Sequence, residues 1–437
     1  MLTLKKLSLA VIVQTALISS AFASEQSESK GFVEDAEGSV LFRTGYLTRD
    51  KKNGTPDTSS FAQTAMLNLE SGFTQGPVGF GVGIIGDASF KIGDNKNAGN
   101  GMIPRETLNG KKGKGDTYDT WTRGGGIVKA RVSNTTVRYG THILDIPVLA
   151  SNTARLVPEY FEGTLLTSHE IKNLEIIGGK FTKDSYSDQI DTDGRHLRSA
   201  WVWGAKYKFN DQLTGSYYGT DIKDKLDRHY INANYKFPLA NKDSLTFDFS
   251  GYRTEFDANA STYSATVPDG QDRTNNIWAL SGTYNRGPHT VMLAYQQNTG
   301  NVGYDYGENA DGAQSIYLPN SYLSDFIGNH EKSTQIQYNL DLGAFGVPGL
   351  NWTSAFVYGW DIKVANPDDR TKLISDNATE REFFNQLKYT VQSGFAKDVS
   401  LRVRNSYYRA SAAYQTNAYI GDTNEWRVFL DIPVKLF

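Results

Sequence analysis

The sequence has 437 residues, of which 39% are hydrophobic, 12% aromatic and 21% charged. Its 45 basic and 48 acidic residues give a net charge of −3, which argues against nucleic acid as a partner because nucleic-acid binders usually carry a strongly basic domain. The absence of cysteine excludes disulfides, thiolate metal sites and a cysteine nucleophile. With 42 glycines against 12 prolines, short extended segments joined by tight turns are favoured over long helices.

The first predicted element is a signal peptide over residues 1–23. Two lysines precede an apolar run at 7–18, and Ala21-Phe22-Ala23 supplies the small residues that a signal peptidase accepts. We therefore expect cleavage before Ser24 and a single mature domain over residues 24–437. The alternative, a membrane anchor, is disfavoured because the apolar run is short for spanning a bilayer.

Beyond the signal peptide, apolar and polar side chains alternate with a period of two residues, as in strands with one apolar and one solvated face. Leu401 and Val403 share one face of such a segment, while Arg402 and Arg404 share the other. The pattern predicts eighteen strands, at residues 37–47, 61–71, 78–92, 120–132, 135–141, 161–170, 174–183, 199–209, 212–221, 228–237, 243–254, 275–285, 288–298, 332–342, 349–361, 382–392, 398–410 and 421–435.

The connections between these strands alternate in length. Brief turns such as Ser133-Asn134 follow the even-numbered strands, and long polar segments follow most odd-numbered ones, at 93–119, 142–160, 185–198, 255–274, 299–331 and 362–381. An outer-membrane barrel has this layout, with turns on the periplasmic side and loops outside, whereas a soluble sandwich has no physical reason to adopt it. Because an unpaired backbone group in hydrocarbon costs several kcal/mol, the sheet must close on itself. We predict an all-β fold, a transmembrane antiparallel β-barrel of about 18 strands with long extracellular loops.

Several short segments are each weak signals alone but are specific in their order and spacing. They are GFVED at 31–35, SGFTQGPVGFG at 71–81, KARVSNT at 129–135, PVLA and RLVP at 147–150 and 155–158, SIYL at 315–318, FGVPGL at 345–350 and NEWR at 424–427. Through these segments the chain resembles the OprD family of substrate-specific outer-membrane channels of Gram-negative bacteria, along nearly all of its mature length.

The resemblance implies an outer-membrane location, surrounded by lipid and lipopolysaccharide, and a monomer or loose trimer. It also implies passive uptake of small carboxylates such as amino acids and aromatic or aliphatic acids. Several family members admit carbapenem antibiotics as well.

Basic residues fall on the polar faces of several predicted strands. They are Arg43, Lys129, Arg131, Arg138, Lys388, Arg402, Arg404 and Arg427. In a closed barrel the last strand neighbours the first, so five of these residues, on strands 16, 17, 18 and 1, share one wall of the lumen. A guanidinium stays charged and forks onto a carboxylate with two hydrogen bonds, so the row predicts a track for carboxylates. The resemblance implies the same basic ladder; the alternative is that these cations only pair with acids such as Asp431 and Glu425.

The long segment 142–160 is predicted to fold into the lumen and narrow it. It combines many apolar residues with Arg155, and Pro147 and Pro158 stiffen it. An exposed loop as apolar as this one would be unusual, which favours packing against the wall. The resemblance assigns this segment to the constriction as well.

A second contributor to the constriction is implied by the resemblance around residues 314–321, with Gln314, Ser315 and Tyr317. Family members often carry Asp at the position of Gln314. If an acid there selects the ammonium group of amino acids, its absence makes a plain anion a comparable candidate substrate, although Asp311 or Glu308 could substitute.

Catalysis has little support in the sequence. The six histidines lack metal-ligand spacing, and no Gly-x-Ser-x-Gly elbow occurs. We therefore predict a protein that is not an enzyme and that has no catalytic residue, metal or cofactor. Three alternatives stay open at this stage: a general porin without substrate selectivity, a surface or adhesion protein that uses the barrel as an anchor, and a barrel lipase.

Overall fold

A computed structural model describes residues 24–95, 98–109, 111, 113–190, 197–258, 260, 266–267, 271–307, 315–417 and 420–437. The predicted signal peptide, residues 1–23, lies outside the described residues, and its cleavage stays a prediction. No helix within the described part of the chain is long and apolar enough to cross a membrane.

The described residues form one closed antiparallel sheet of 18 strands, in which each strand pairs with the next and β1 also pairs with β18. The all-β barrel prediction is therefore confirmed. The strands are β1 (Glu37–Lys51), β2 (Thr58–Glu70), β3 (Val78–Lys91), β4 (Thr120–Val132), β5 (Thr135–His142), β6 (Tyr160–Ile171), β7 (Leu174–Ser185), β8 (Ala200–Lys208), β9 (Leu213–Ile222), β10 (Leu226–Pro238), β11 (Ser244–Phe256), β12 (Arg273–Arg286), β13 (His289–Gly300), β14 (Lys332–Asp341), β15 (Leu350–Ala365), β16 (Leu373–Thr390), β17 (Ser400–Ala410) and β18 (Thr423–Lys435).

Side chains alternate across the wall as the sequence pattern predicts. On β3, Phe80 is 58% exposed on the outer face, whereas Ile85 and Asp87 are buried on the inner face. On β17, Leu401 is 44% exposed on the outer face, and Arg402 points the other way. The apolar face therefore meets lipid and the polar face lines the lumen.

The region β15–β16 differs from the predicted boundaries. The predicted loop 362–381 is reduced to residues 366–372, because β15 continues to Ala365 and β16 already begins at Leu373. Register shifts follow Gly359, Ile362 and Val364, and each one interrupts the two-residue period. A period-two pattern cannot detect strand residues across such bulges.

Helices are short in the described residues. The α-helix α1 (Ala412–Asn417) lies between β17 and β18, and 3₁₀ turns occupy Ala240–Lys242 and Leu342–Phe345. The second 3₁₀ turn connects β14 to β15: the Asp341 carboxylate accepts a hydrogen bond from the Gly343 N–H at 2.8 Å, and Gly346 adopts φ = 91°. Glycine suits this left-handed position because it has no Cβ.

The largest hydrophobic core lies inside the barrel. Two connections fold inward, loop 143–159 after β5 and the described residues 301–307 and 315–331 of loop 301–331 after β13, and their apolar residues pack against the inner faces of β6 to β12. Val148, Leu149 and Tyr304 in these loops are fully buried. This packing fills one side of the lumen and leaves β16, β17, β18 and β1 to line the other.

Candidate functional site in the barrel lumen

Five cations form a continuous patch on the inner face of β16, β17, β18 and β1, which we call the basic wall. Lys388 lies directly across from Arg402, and Arg404 lies directly across from Arg427. Arg43 lies on β1 across from Asp431 of β18. Barrel closure therefore brings together residues that are nearly four hundred positions apart in sequence.

Two members of the basic wall are neutralised by acids of β18. Arg43 donates from Nε and Nη2 to the two carboxylate oxygens of Asp431, at 2.7 and 2.9 Å. Arg427 donates to the buried Glu425, which also accepts from Arg49 at 2.7 Å. For these two arginines the structure shows the ion pairing that the sequence left as an alternative.

The other three members, Lys388, Arg402 and Arg404, have no ion pair with any described acid. The Nε of Arg404 is buried and has no hydrogen-bond partner among the described residues. No described residue accepts a hydrogen bond from these three side chains, which lie on the inner face of β16 and β17.

Aromatic rings hold these arginines without using their donors. The guanidinium carbons of Arg43 and Arg402 each lie 5.2 Å from the ring centre of Phe429. The guanidinium carbon of Arg404 lies 5.1 Å from the ring centre of Phe384. A ring face stabilises a cation through its quadrupole, so Arg402 and Arg404 keep both their charge and their N–H groups available.

The remaining predicted ladder residues lie on β4 and β5, and the structure does not bring them to the basic wall. Lys129 and Arg138 both bind the Glu70 carboxylate of β2, at 2.9 and 2.6 Å. Arg131 donates to the side-chain oxygen of Gln26 at 3.2 Å and lies 3.8 Å from Glu25. The side chains that bind these three cations therefore belong to β2 and to the N-terminal segment.

Glycines on the inner face of β3 allow Glu70 to reach Lys129. A Cβ on Gly81 would lie 2.7 Å from Cε of Lys129, and a Cβ on Gly83 would lie 3.1 Å from Cγ of Glu70. Both distances are shorter than ordinary contacts, so only glycine lets these side chains cross the strand between them. Gly81 and Gly83 thus have a packing role in the lumen.

Arg123 on β4 anchors loop 143–159 and was not predicted from the sequence. Its buried guanidinium pairs with Asp87 at 3.1 Å and donates to the carbonyl oxygens of Pro158 and Tyr186, at 2.7 and 2.6 Å. Its guanidinium carbon lies 4.8 Å from the ring centre of Tyr160. The position of Arg123 on the polar face of β4 could have been predicted from the sequence. Its hydrogen bonds to the carbonyls of Pro158 and Tyr186 could not.

The predicted constriction residues of loop 143–159 are buried and lie against the lumen wall. The Pro147 carbonyl accepts a hydrogen bond from the Tyr252 hydroxyl at 3.0 Å. The Arg155 carbonyl accepts from Arg43 at 3.2 Å. The loop therefore spans the lumen from the β11 side to the basic wall.

The described part of loop 301–331 also lies inside the barrel, against loop 143–159. Gln314, Glu308 and Asp311 lie outside the described residues. Ser315 is buried, and Tyr317 donates its backbone N–H to the Tyr252 hydroxyl at 3.0 Å and its own hydroxyl to Asp145. The two inward loops thus touch each other at Asp145 and Tyr317.

Carboxylates fasten loop 301–331 to β16. Glu382 accepts hydrogen bonds from the N–H groups of Leu323 and Ser324, each at 3.0 Å. Burial, assisted by the neighbouring Glu380 carboxyl, raises the pKa of Glu331 well above its usual range. Burial also raises the pKa of the Tyr304 hydroxyl to about 12. Buried carboxyl groups that accept hydrogen bonds from the loop backbone therefore hold this part of the loop in the interior.

A cavity of about 740 Å³ lies where the two inward loops meet β10, β11 and β12. Asp145 and Asp248 line it, and Asp248 is held by the side-chain amides of Asn232 and Asn234. These carboxylates lie on the side of the lumen away from the basic wall. The alternating pattern of β11 placed Asp248 on a polar face, but nothing in the sequence indicated its relation to the basic wall.

Comparisons with known proteins agree with this architecture. A family model described as outer membrane porin, OprD family, matches residues 30–436. Porin D of Pseudomonas aeruginosa is 36% identical over 96% of this chain and 95% of its own length. The crystal structure of Acinetobacter baumannii OccAB1 is 71% identical, covers 95% of this chain and 100% of its own, and superposes with a TM-score of 0.89. The porin-like protein GalP of Pseudomonas putida is 26% identical over 94% of this chain and 95% of its own length.

Proposed function

This chain belongs to the OprD family of outer membrane porins, and we propose that the solutes it selects are small carboxylates that move along the basic wall. Membership makes the protein a substrate-specific channel of the Gram-negative outer membrane and not an enzyme. The observation that carries the proposal is the set of three lumenal cations, Lys388, Arg402 and Arg404, without an acidic partner among the described residues.

The geometry of these three residues suits a carboxylate that moves in steps. Arg402 and Arg404 are two residues apart on one strand, a separation of about 7 Å along the chain. A carboxylate can leave one guanidinium as it reaches the next, exchanging one pair of charge-assisted hydrogen bonds for another. Several modest sites in series allow passage, whereas one strong site would retain the solute.

Arg43 and Arg427, which are paired with acids, also contribute to the pathway. Arg43 and Arg427 add positive potential, but their acids reduce the net charge of that part of the wall. Both also hold loop 143–159, through the carbonyls of Arg155 and Ala154, each at 3.2 Å. We assign four residues of the two inward loops to a constriction that directs solutes towards Lys388, Arg402 and Arg404. They are Pro147, Arg155, Ser315 and Tyr317.

An amino acid is a second candidate solute, favoured by the two carboxylates of the larger cavity. Asp145 and Asp248 lie across the lumen from the basic wall and could receive an ammonium group while the wall holds the carboxylate. A carbapenem, which carries a carboxylate, would use the same wall. The surrounding partners are outer-membrane lipid and lipopolysaccharide, and we propose a monomer or a loose trimer.

The test is block of ion current by carboxylates through the purified full-length channel in planar bilayers. We expect gluconate to reduce the wild-type potassium chloride current, and Arg402→Ala or Arg404→Ala to raise its half-blocking concentration about tenfold, as for loss of a charge-assisted hydrogen bond. Arg253→Ala removes an arginine from the outer face of β11 and should leave the block unchanged. A zwitterionic amino acid in the same assay tests the second candidate.

Two results would contradict the proposal. An unchanged half-blocking concentration in both lumenal variants would show that the unpaired cations do not bind the solute. A neutral sugar that enters proteoliposomes as fast as gluconate would show that charge does not select.

A further inference from the structure

A second cavity, of about 490 Å³, lies between the inner faces of β1 to β6 and the start of loop 143–159. Its lining is mostly apolar and includes Leu41, Met66, Ile85, Ile127, Ile143 and Leu165. The inner face of a water-filled barrel is ordinarily polar, so a cluster of apolar side chains there needs an explanation. The volume lies within the range of sites that bind small molecules.

This apolar cavity adjoins the basic wall through β1. Leu41 and Arg43 are both on the inner face of β1, two residues or about 7 Å apart. Leu41 lies directly across from Met66 of β2, and Arg43 across from Thr64. A solute whose carboxylate lies at Arg402, which shares the Phe429 ring with Arg43, can therefore place its remaining atoms next to Leu41 and Met66.

Two polar groups at the edge of the cavity, Arg138 and His142, already have partners in the protein, and Ser39, Asn68 and Thr141 also line it. Arg138 binds Glu70 at 2.6 Å, and the His142 ring is within hydrogen-bond distance, 3.1 Å, of the Gly163 carbonyl. Neither group requires a polar substituent on the solute. Apolar surface is therefore the larger part of what the cavity offers to a molecule that enters it.

Ile143 connects the two cavities. It is 50% exposed, and it lines both the apolar cavity and the larger cavity that contains Asp145 and Asp248. A solute at the constriction thus meets one cavity that contains the carboxylates of Asp145 and Asp248 and another with mostly apolar walls. The two environments suit different substituents on the same carboxylate.

We propose that the apolar cavity is a solute subsite that favours carboxylates with an aromatic or branched apolar body over polyhydroxy carboxylates of equal charge. The inference rests on the proposed function, since the basic wall must hold the carboxylate. Moving one face of a ring from water onto Leu41 and Met66 supplies the preference. Gluconate, with hydroxyls along its length, gains nothing there and must give up hydration.

The test compares the half-blocking concentrations of benzoate and gluconate in the full-length channel. We expect benzoate to block wild-type current at an about tenfold lower concentration, the discrimination that a small apolar pocket can give. Met66→Gln should remove most of this difference, because it keeps the length of the side chain and makes its end polar. Met66→Leu should retain the difference.

Controls separate the subsite from a general disturbance of the pore. Pro319→Gln makes a partly exposed residue of the larger cavity alone polar and should leave the benzoate-to-gluconate ratio as in wild type. Heat-shifted mobility in detergent gels reports whether each variant is a folded barrel. Because Leu41 lies across from Met66, Leu41→Asn gives an independent second variant.

The failures of the two proposals are distinguishable. Equal block by benzoate and gluconate in wild type, or a ratio unchanged in both Met66→Gln and Leu41→Asn, overturns the apolar subsite alone, provided that Arg404→Ala still weakens both acids. If neither acid blocks the wild-type channel, the proposed function itself is overturned, and the subsite with it.

Discussion

Two walls of the same lumen carry arginine and lysine on strands of the same pattern, yet their charges are used differently. On the basic wall, Lys388, Arg402 and Arg404 have no acidic partner among the described residues. On β4 and β5, which we call the anchor wall, Lys129, Arg131 and Arg138 are held by Glu70, Gln26 and Glu25, and Arg123 by Asp87. The anchor wall fastens the protein's own segments, whereas the basic wall leaves donors for a solute.

The difference shows that the role of a cation on a polar face can be assigned only when its partners are known. An arginine paired with a carboxylate offers little charge to a passing anion, because the pair is nearly neutral. Whether an acid reaches it depends on the neighbouring strands. On the anchor wall, the glycines of β3 leave space for Glu70 to cross, and on the basic wall the residue across from Arg404 is the neutral Gln386.

The largest expected effect comes from breaking the anchor wall at Arg123. Arg123→Met leaves Asp87 buried without its cation and frees the carbonyls of Pro158 and Tyr186. We expect a loss of about 3–5 kcal/mol in the free energy of unfolding, as for a buried pair with one partner removed. Urea titration in detergent, followed by tryptophan fluorescence, measures it, and current noise should rise as loop 143–159 loosens.

A double variant is the control for this prediction. Asp87→Asn combined with Arg123→Met removes the unpaired charge as well, so it should be less destabilised than the single variant. A single variant as stable as wild type, with quiet current, would show that Arg123 does not hold the loop.

A smaller effect is expected from giving the basic wall an acid of its own. Gln386→Glu places a carboxylate directly across from Arg404 on the neighbouring strand, nearer in the sheet than Glu70 is to the cations that it binds on the anchor wall. We expect the half-blocking concentration of gluconate to rise about fivefold, because the new pair competes with the solute for the guanidinium. Gluconate block of the ion current measures this change. Gln386→Met changes the same side chain without adding charge and should have no such effect; similar block in all three channels would contradict the prediction.

The smallest effect is expected from the reverse change on the anchor wall. Glu70→Gln leaves Lys129 and Arg138 without their shared acid and exposes two positive charges to the lumen. We expect the ratio of chloride to potassium permeability, measured from reversal potentials in a salt gradient, to rise about twofold. Glu255→Gln removes an equal charge from the outer face of β11 and serves as the control. An unchanged ratio for Glu70→Gln would mean that the anchor wall does not face the ion path.

The fold was largely predictable from the sequence. Eighteen strands were predicted and eighteen are present within the described residues, and barrel closure was confirmed by the pairing of Arg43 with Asp431 across β1 and β18. The errors are at strand ends, most clearly at β16, where register shifts near Ile362 interrupt the alternation. Alternation is a local backbone property, so it can be read until a bulge changes which face a residue occupies.

The candidate site was predictable only in part. The sequence placed Arg402, Arg404 and Arg427 on polar faces of adjacent strands, and the structure places them together. It did not distinguish Arg404, without an acidic partner, from Lys129, whose partner Glu70 is two strands away. Nothing in the sequence indicated that Asp248 and Met66 line cavities. A single polar or apolar residue on an inner face does not stand out until the loops that enclose the cavity are placed.

The order of apolar and polar residues along the chain determined by itself that this protein is a closed barrel with a charged lumen, since each strand residue must face either lipid or water. Only the tertiary structure decided which lumenal charges remain available. That choice depends on side chains that reach across strands and on loops that fold inward, and both join residues distant in sequence, which no local period records.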